Sequence, residues 1–200
     1  VTTMHSNHLT APRSLRLWPG VLLAILTVLL RYAVGPLAPD DASLFAIPLG
    51  AIAVGAGMLG AIAIIVWWLF FSRAPWSERL GVLLLIAVAM FATAQLAHQS
   101  IRGGYRAMML AVYGGPGIAL AVVAGAVTGA RLARGSRRAV IAASILLACG
   151  AFTLIRTNGV FGGGADLHWR WTPTAEDRLL AAAKDDPVAT LPAAPAVVAP

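Results

Sequence analysis

Charged residues are scarce in this chain: Asp, Glu, Lys and Arg together make up 12% of its 200 residues. Cysteine is scarcer still, since Cys149 is the only one and lies in an apolar run. A single thiol excludes a disulfide framework within the chain and a thiolate metal cluster, and is typical of a small buried hydrophobe. The sequence also has no P-loop, dinucleotide-binding fingerprint, nucleophile elbow or CxxC motif. These absences argue against the enzyme classes that such motifs identify.

Hydrophobic residues are abundant instead, at 59% of the chain with a mean hydropathy of +0.80. A helix rises about 1.5 Å per residue, so crossing a hydrocarbon core of roughly 30 Å takes about 20 apolar residues. The sequence contains five apolar segments of this kind, which predict an all-α, polytopic bundle of five transmembrane helices. We place these helices at about 17–34, 44–71, 80–97, 107–130 and 139–155.

The remaining segments are polar or rich in proline. Residues 1–16 are predicted to form a cytoplasmic N-terminal segment, and 156–186 a periplasmic juxtamembrane segment. Within the latter, Thr172 or Thr174 as N-cap and Pro173 in the first turn predict a short helix over 173–184. Residues 187–200 have the composition of a Pro/Ala-rich linker.

The distribution of arginine predicts the orientation. On the side of the N-terminus lie eight basic residues, namely Arg13, Arg16, Arg73, Arg79, Arg131, Arg134, Arg137 and Arg138. The other side has five, namely Arg31, Arg102, Arg106, Arg156 and Arg170. Because basic flanks face the cytoplasm, we expect a multi-pass protein of the bacterial inner membrane with a cytoplasmic N-terminus and a periplasmic C-terminus. The arginines do not form one continuous stripe, which argues against a nucleic-acid partner.

Aromatic residues concentrate near the ends of the predicted spans. Tryptophan is typical of the membrane–water interface, because its ring is apolar and its N–H needs a polar partner. We therefore interpret all six as interfacial anchors: Trp18, Trp67, Trp68, Trp76, Trp169 and Trp171.

Small residues recur at helical spacing in two of the predicted spans. The longer row, in the fourth span, consists of Gly117, Ala121, Gly125 and Gly129, and the second span carries Gly57 and Gly60. Such rows let helix backbones approach closely. We predict packing within the bundle, with a homodimer face as the alternative.

Acidic residues are missing from all five predicted spans. Ionisable groups mark ion and substrate pathways in membranes, so this absence argues against a proton-coupled transporter, an intramembrane protease and any two-carboxylate site. No metal site is predicted. Arg31 and His98 lie at span ends, where snorkelling to the interface explains them. Alternatively, His98 with Gln95 and Arg102 could hydrogen-bond a quinone headgroup.

Four strings of this sequence resemble a known family. They are the runs 16–20 (RLWPG), 66–79 (VWWLFFSRAPWSER), 146–150 (LLACG) and 168–180, which begins HWRWTPT. Together they resemble the N-terminal membrane region of bacterial PQQ-binding-like β-propeller proteins, which are described as similar to an outer-membrane assembly lipoprotein or to quinoprotein dehydrogenases. The resemblance implies a membrane anchor for a periplasmic propeller in cis. PQQ would then belong to that propeller, which this chain lacks, and no cofactor or catalytic residue is implied here.

Three functions therefore remain open. The first is an inner-membrane anchor without catalytic chemistry of its own. The second is a quinone-interacting electron-transfer module of a quinoprotein dehydrogenase. The third is a free-standing small membrane subunit of a larger complex, and in all three the lipid bilayer is the principal partner.

Overall fold

A computed structural model describes residues 16–34, 42–97, 106–161 and 164–185. Its described residues form six helices. Helix α1 is Trp18–Val28, continued by a π-helical turn, Leu29–Ala33; α2 is Leu49–Phe70 and α3 is Trp76–Leu96. Helix α4 begins as Arg106–Met109, passes through a π-helical turn, Leu110–Gly114, and continues as Gly115–Thr128. Helix α5 is Arg134–Thr153, and α6 is Ala175–Asp185.

Four helices, α2 to α5, are long and apolar enough to cross a membrane. The fifth predicted crossing, by α1, is not confirmed, because the apolar helix Trp18–Ala33 falls below the length of a spanning helix. Its 16 residues cover about 24 Å, whereas the 22 residues of α2 cover about 33 Å. The structure therefore supports a polytopic membrane protein with four candidate spans and a shorter helix beside them.

The helices pack in a definite order. Helix α1 lies against α2, α2 against α4, α4 against α5, and α5 against α3. The core is centred on α2, α4 and α5, where Ile64, Trp68, Val122 and Ile145 are fully buried. We call the end of the bundle with the α2–α3 and α4–α5 connections the loop end, and the opposite end the hairpin end.

Two antiparallel β-hairpins correct the all-α prediction. Strands β1 (Ser43–Leu44) and β2 (Ile47–Pro48) pair where the sequence predicted the start of the second span. Their connection places Phe45 and Ala46 at positive φ, which a two-residue turn of this type requires. Strands β3 (Ile155–Phe161) and β4 (Gly164–Trp169) pair where the sequence predicted only irregular structure before a helix. Strands β1 and β2 have two residues each, which is too short for an alternating pattern.

Candidate functional site

A buried charged cluster at the loop end is the first candidate site. The Glu78 carboxylate accepts two hydrogen bonds from Arg137 Nη2, at 2.9 Å to Oε1 and 2.7 Å to Oε2. Arg138 Nε donates to Oε1 at 3.1 Å. Glu78 is 4% exposed and Arg137 7%, whereas the Arg138 side chain is largely open to its surroundings. This set of Glu78, Arg137 and Arg138 is called the charged cluster below.

The residues of the charged cluster lie near the starts of α3 and α5, and both helices begin earlier than the sequence predicted. Helix α3 starts at Trp76 rather than residue 80, which places Glu78 in its first turn. Helix α5 starts at Arg134 rather than residue 139, which makes Arg137 and Arg138 helical. The predicted absence of acidic residues from the spans therefore does not hold for α3. Glu78 suits the positive N-terminal end of α3, whereas the arginines near the N-terminus of α5 need this acid to offset the helix dipole.

The α2–α3 connection fixes Glu78 in this position. The Ser72 hydroxyl donates to the carbonyl of Trp68 at 2.6 Å. Arg79 Nε donates to the carbonyl of Ala74 at 2.8 Å, and its Nη1 donates to that of Leu69. Carbonyls left free at the end of α2 are thereby satisfied, and the start of α3 is held beside α5.

A second candidate site surrounds Arg31, within the π-helical turn of α1. The guanidinium carbon lies 5.4 Å from the ring centre of Tyr32 and 5.5 Å from that of Tyr113, which belongs to the π-helical turn of α4. A Cβ at Gly57 of α2 would lie 2.7 Å from Arg31 Cδ, so the arginine stem occupies the space left by that glycine. Both irregular turns thus meet around one cation.

Most, but not all, of the predicted small residues contact a neighbouring helix. A Cβ at Gly60 would lie 2.2 Å from Thr27 Oγ1, so α1 and α2 approach closely there. At Gly125 it would lie 2.8 Å from the backbone of Ile141, and at Gly129 2.9 Å from Arg137 Cγ. The Ser144 hydroxyl also donates to the carbonyl of Ala121, at 2.8 Å. Three members of the longer row therefore meet α5, whereas Gly117 has nothing within 4 Å of its Cβ position.

The six tryptophans divide into two environments. Trp67 and Trp68 are buried, with their rings 6.1 Å apart in a T-shaped arrangement, and Trp67 fills the space over Gly20. This burial differs from the exposed aromatic belt that the sequence suggested. The other four are exposed, as interfacial anchors require, and are Trp18, Trp76, Trp169 and Trp171.

Of the three residues suggested for a quinone headgroup, the described part of the chain includes only Gln95. Gln95 is exposed in the last turn of α3, and His98 and Arg102 lie outside the described residues. A groove of about 320 Å³ between α2, α3 and α4 is lined by apolar residues and does not include Gln95. Among the described residues, no group of three or more metal-ligating side chains is brought together.

The third candidate region is the C-terminal unit, formed by β3, β4 and α6. The backbone N–H of Arg170 donates to the carbonyl of Leu154 at 2.9 Å, at the end of α5. Arg156 is 8% exposed and donates through Nη2 to the carbonyl of Thr172 at 2.7 Å. These bonds join the hairpin to α5 and to the turn that leads into α6.

Helix α6 is exposed along its described side chains and begins with a reciprocal cap. The N–H of Asp177 donates to the Thr174 hydroxyl, and the N–H of Thr174 donates to the Asp177 carboxylate, both at 2.8 Å. Hydrogen bonding to Thr174, first through its side chain and then through its backbone, lowers the pKa of Asp177.

Comparison with protein families, with curated proteins and with solved structures finds no match to this chain.

Proposed function

We propose that this chain is an integral membrane anchor that holds its C-terminal unit at a fixed position on the membrane surface. The single observation that carries the proposal is the direct connection between α5 and the C-terminal hairpin. Helix α5 ends at Thr153 and β3 begins at Ile155, so a spanning helix passes into the hairpin without a linker.

The hydrogen bonds of the hairpin support this role. Arg170 is tied to the end of α5 through its backbone, and Arg156 is tied to Thr172. Strand β4 also contacts α2, so the hairpin rests on two helices of the bundle. The hairpin and the turn that leads into α6 are therefore held at one end of the bundle, which favours a fixed position for the C-terminal unit.

The proposed partner is an extramembrane domain beside α6. The resemblance of residues 168–180 to the anchors of PQQ-binding-like propellers suggests a periplasmic β-propeller as that domain. The excess of arginine at the loop end suggests that this end faces the cytoplasm of a bacterial inner membrane.

Reporter fusions test the anchor directly. Alkaline phosphatase, which is active only after export, is fused behind Asp185 and, as the matched control, behind Arg131 in the α4–α5 connection. We expect phosphatase activity from the first fusion only, with both proteins retained in carbonate-washed membranes. Release of the fusions into the soluble fraction would refute the anchor, and activity from the second fusion alone would refute the orientation.

The fixed position of the C-terminal unit has a separate test in Arg156→Gln. Losing the buried guanidinium removes its bond to Thr172, and a charged hydrogen bond of this kind contributes about 1.5–3 kcal/mol. We expect faster limited proteolysis between β4 and α6 while the bundle stays intact. Arg178→Gln is the control, because Arg178 is exposed and its bond to Pro173 is 3.4 Å long. Equal cleavage rates in the two variants would contradict a hairpin held by Arg156.

A further inference from the structure

Arg31 lies inside the apolar thickness of the bundle. Helices α1 and α2 are antiparallel, with Gly20 against Trp67, Thr27 against Gly60 and Arg31 against Gly57. From Gly57, α2 continues for eight more residues to its start at Leu49, which is about 12 Å. The sequence placed Arg31 at a span end, but the shortness of α1 leaves it well below the end of its neighbour.

Among the described residues, Arg31 contacts aromatic rings but no hydrogen-bond acceptor. Within the described part of the chain its partners are the rings of Tyr32 and Tyr113, and its side chain forms no ion pair there. A ring face attracts the positive charge but does not replace acceptors for five N–H groups. A cation at this depth needs a hydrogen-bond acceptor, and an anion is the strongest one.

The outer face of α1 around Arg31 favours a lipid as the source of that anion. Tyr32, Leu29 and Leu30 are exposed on the outer face of α1, and so are Leu22, Ile25 and Leu26 further along it. This surface is apolar and continuous along the helix, which suits acyl chains rather than water. Because α1 covers about 24 Å, the leaflet at the hairpin end has to thin beside it, which brings headgroups toward Arg31.

We propose that Arg31 binds the phosphodiester group of a phospholipid in the leaflet at the hairpin end. The guanidinium donates to the phosphate oxygens, the geometry that arginine forms with phosphate most readily. The tyrosine rings flank the cation, and the acyl chains lie along the exposed face of α1. This inference depends on membrane embedding and not on the anchor role, so each can fail without the other.

Native mass spectrometry of protein released from phosphatidylglycerol nanodiscs provides the test. We expect a single retained phospholipid on the wild-type chain and about tenfold lower occupancy on Arg31→Gln, because the charged donor is lost. Arg73→Gln, in the exposed α2–α3 connection, is the matched control and should retain the lipid. Equal retention by Arg31→Gln and wild type, with both variants monodisperse, would overturn the proposal.

A measurement on the wild-type chain alone covers the case in which Arg31→Gln does not fold. In detergent, adding phosphatidylglycerol should raise the thermal midpoint saturably, whereas a galactolipid with the same chains should not. Inorganic phosphate without lipid should also leave the midpoint unchanged. Equal rises with both lipids, or a rise with inorganic phosphate, would contradict a site for a phospholipid headgroup.

Discussion

Arg137 at the loop end and Arg31 toward the hairpin end both lie within a bundle of apolar helices. They differ in whether a described acidic residue lies beside the guanidinium group. Arg137 is neutralised by Glu78 from a neighbouring helix, at 2.7 Å. Arg31 is flanked by Tyr32 and Tyr113, whose rings carry no net charge. Arg137 therefore has its counter-charge within the bundle, whereas the described residues place none beside Arg31.

Breaking the charged cluster should produce the largest effect. Glu78→Gln leaves Arg137 buried without a counter-charge, and removing one partner of a buried pair costs about 3–5 kcal/mol. Unfolding in mixed micelles with increasing SDS measures this free energy. Glu176→Gln, in exposed α6, is the control and should be neutral. A change below about 1 kcal/mol would mean that the charged cluster does not hold α3 to α5.

A glycine packs against the side chain of each arginine, Gly129 against Arg137 and Gly57 against Arg31. Gly129→Ala would bring a methyl group 2.9 Å from the carbonyl oxygen of Gly125 and 3.3 Å from the Cα of Arg137, so backbone has to move. Gly57→Ala would meet only the stem of Arg31, which can shift. We expect a loss of about 1–3 kcal/mol for the first variant and under about 1 kcal/mol for the second.

The control for both glycine variants is Gly117→Ala, since nothing lies within 4 Å of its Cβ position. Alanine there should be neutral or slightly stabilising, because it favours the helix more than glycine does. The same SDS titration measures all three. A larger loss for Gly57→Ala than for Gly129→Ala would show that Arg31 is held more rigidly than Arg137.

Removing each cation gives a more direct contrast between the two arginines. In phosphate-free detergent, Arg31→Met should change the free energy of unfolding by no more than about 1 kcal/mol, because only cation–π contacts are lost. Arg137→Met should cost about 3 kcal/mol, because Glu78 stays buried with only Arg138 beside it. Equal losses in the two variants would show that Arg31 has an internal counter-charge.

Protonation of Asp177 in the cap of α6 should produce the smallest effect, and only at low pH. Bonds to Thr174 depress the pKa of Asp177 below its ordinary value of 3.8. The cap therefore contributes fully above the ordinary value and is lost as pH falls through the depressed one. The protection of the α6 amides, relative to their intrinsic exchange rate at each pH, should fall in that acidic range for wild type and should be low at every pH for Asp177→Ala. No difference between the two at neutral pH would contradict the cap.

The sequence predicted the apolar helices α2 to α5 well, because hydrophobic length is a local property. Residues 80–97 were predicted for a helix that covers Trp76–Leu96, and residues 139–155 for Arg134–Thr153. The starts of α3 and α5 were predicted too late because both first turns carry charged residues. Hydropathy alone ends a span at Glu78 or Arg138, whereas the two side chains neutralise each other only after the chain has folded.

The burial of the tryptophans and the hairpins also depended on distant parts of the chain. Trp67 precedes Arg73 as an interfacial residue would, and only its contact with Gly20 of α1 places it in the core. Strand β3 is stabilised by pairing with β4 and by the bond from Arg156 to Thr172, neither of which has a local signature. For the same reason the environment of Arg31 could not be seen before Tyr113 was placed beside it.

If α5 carries the chain across the bilayer, as proposed, the α4–α5 connection and the C-terminal unit lie on opposite faces. Single cysteines at Leu132 and Trp171, both exposed, test it in a Cys149→Ala background with a membrane-impermeant maleimide. We predict that sealed vesicles of one orientation label only one of these positions and inverted vesicles only the other. Labelling of both positions from the same side would contradict a crossing of the bilayer by α5.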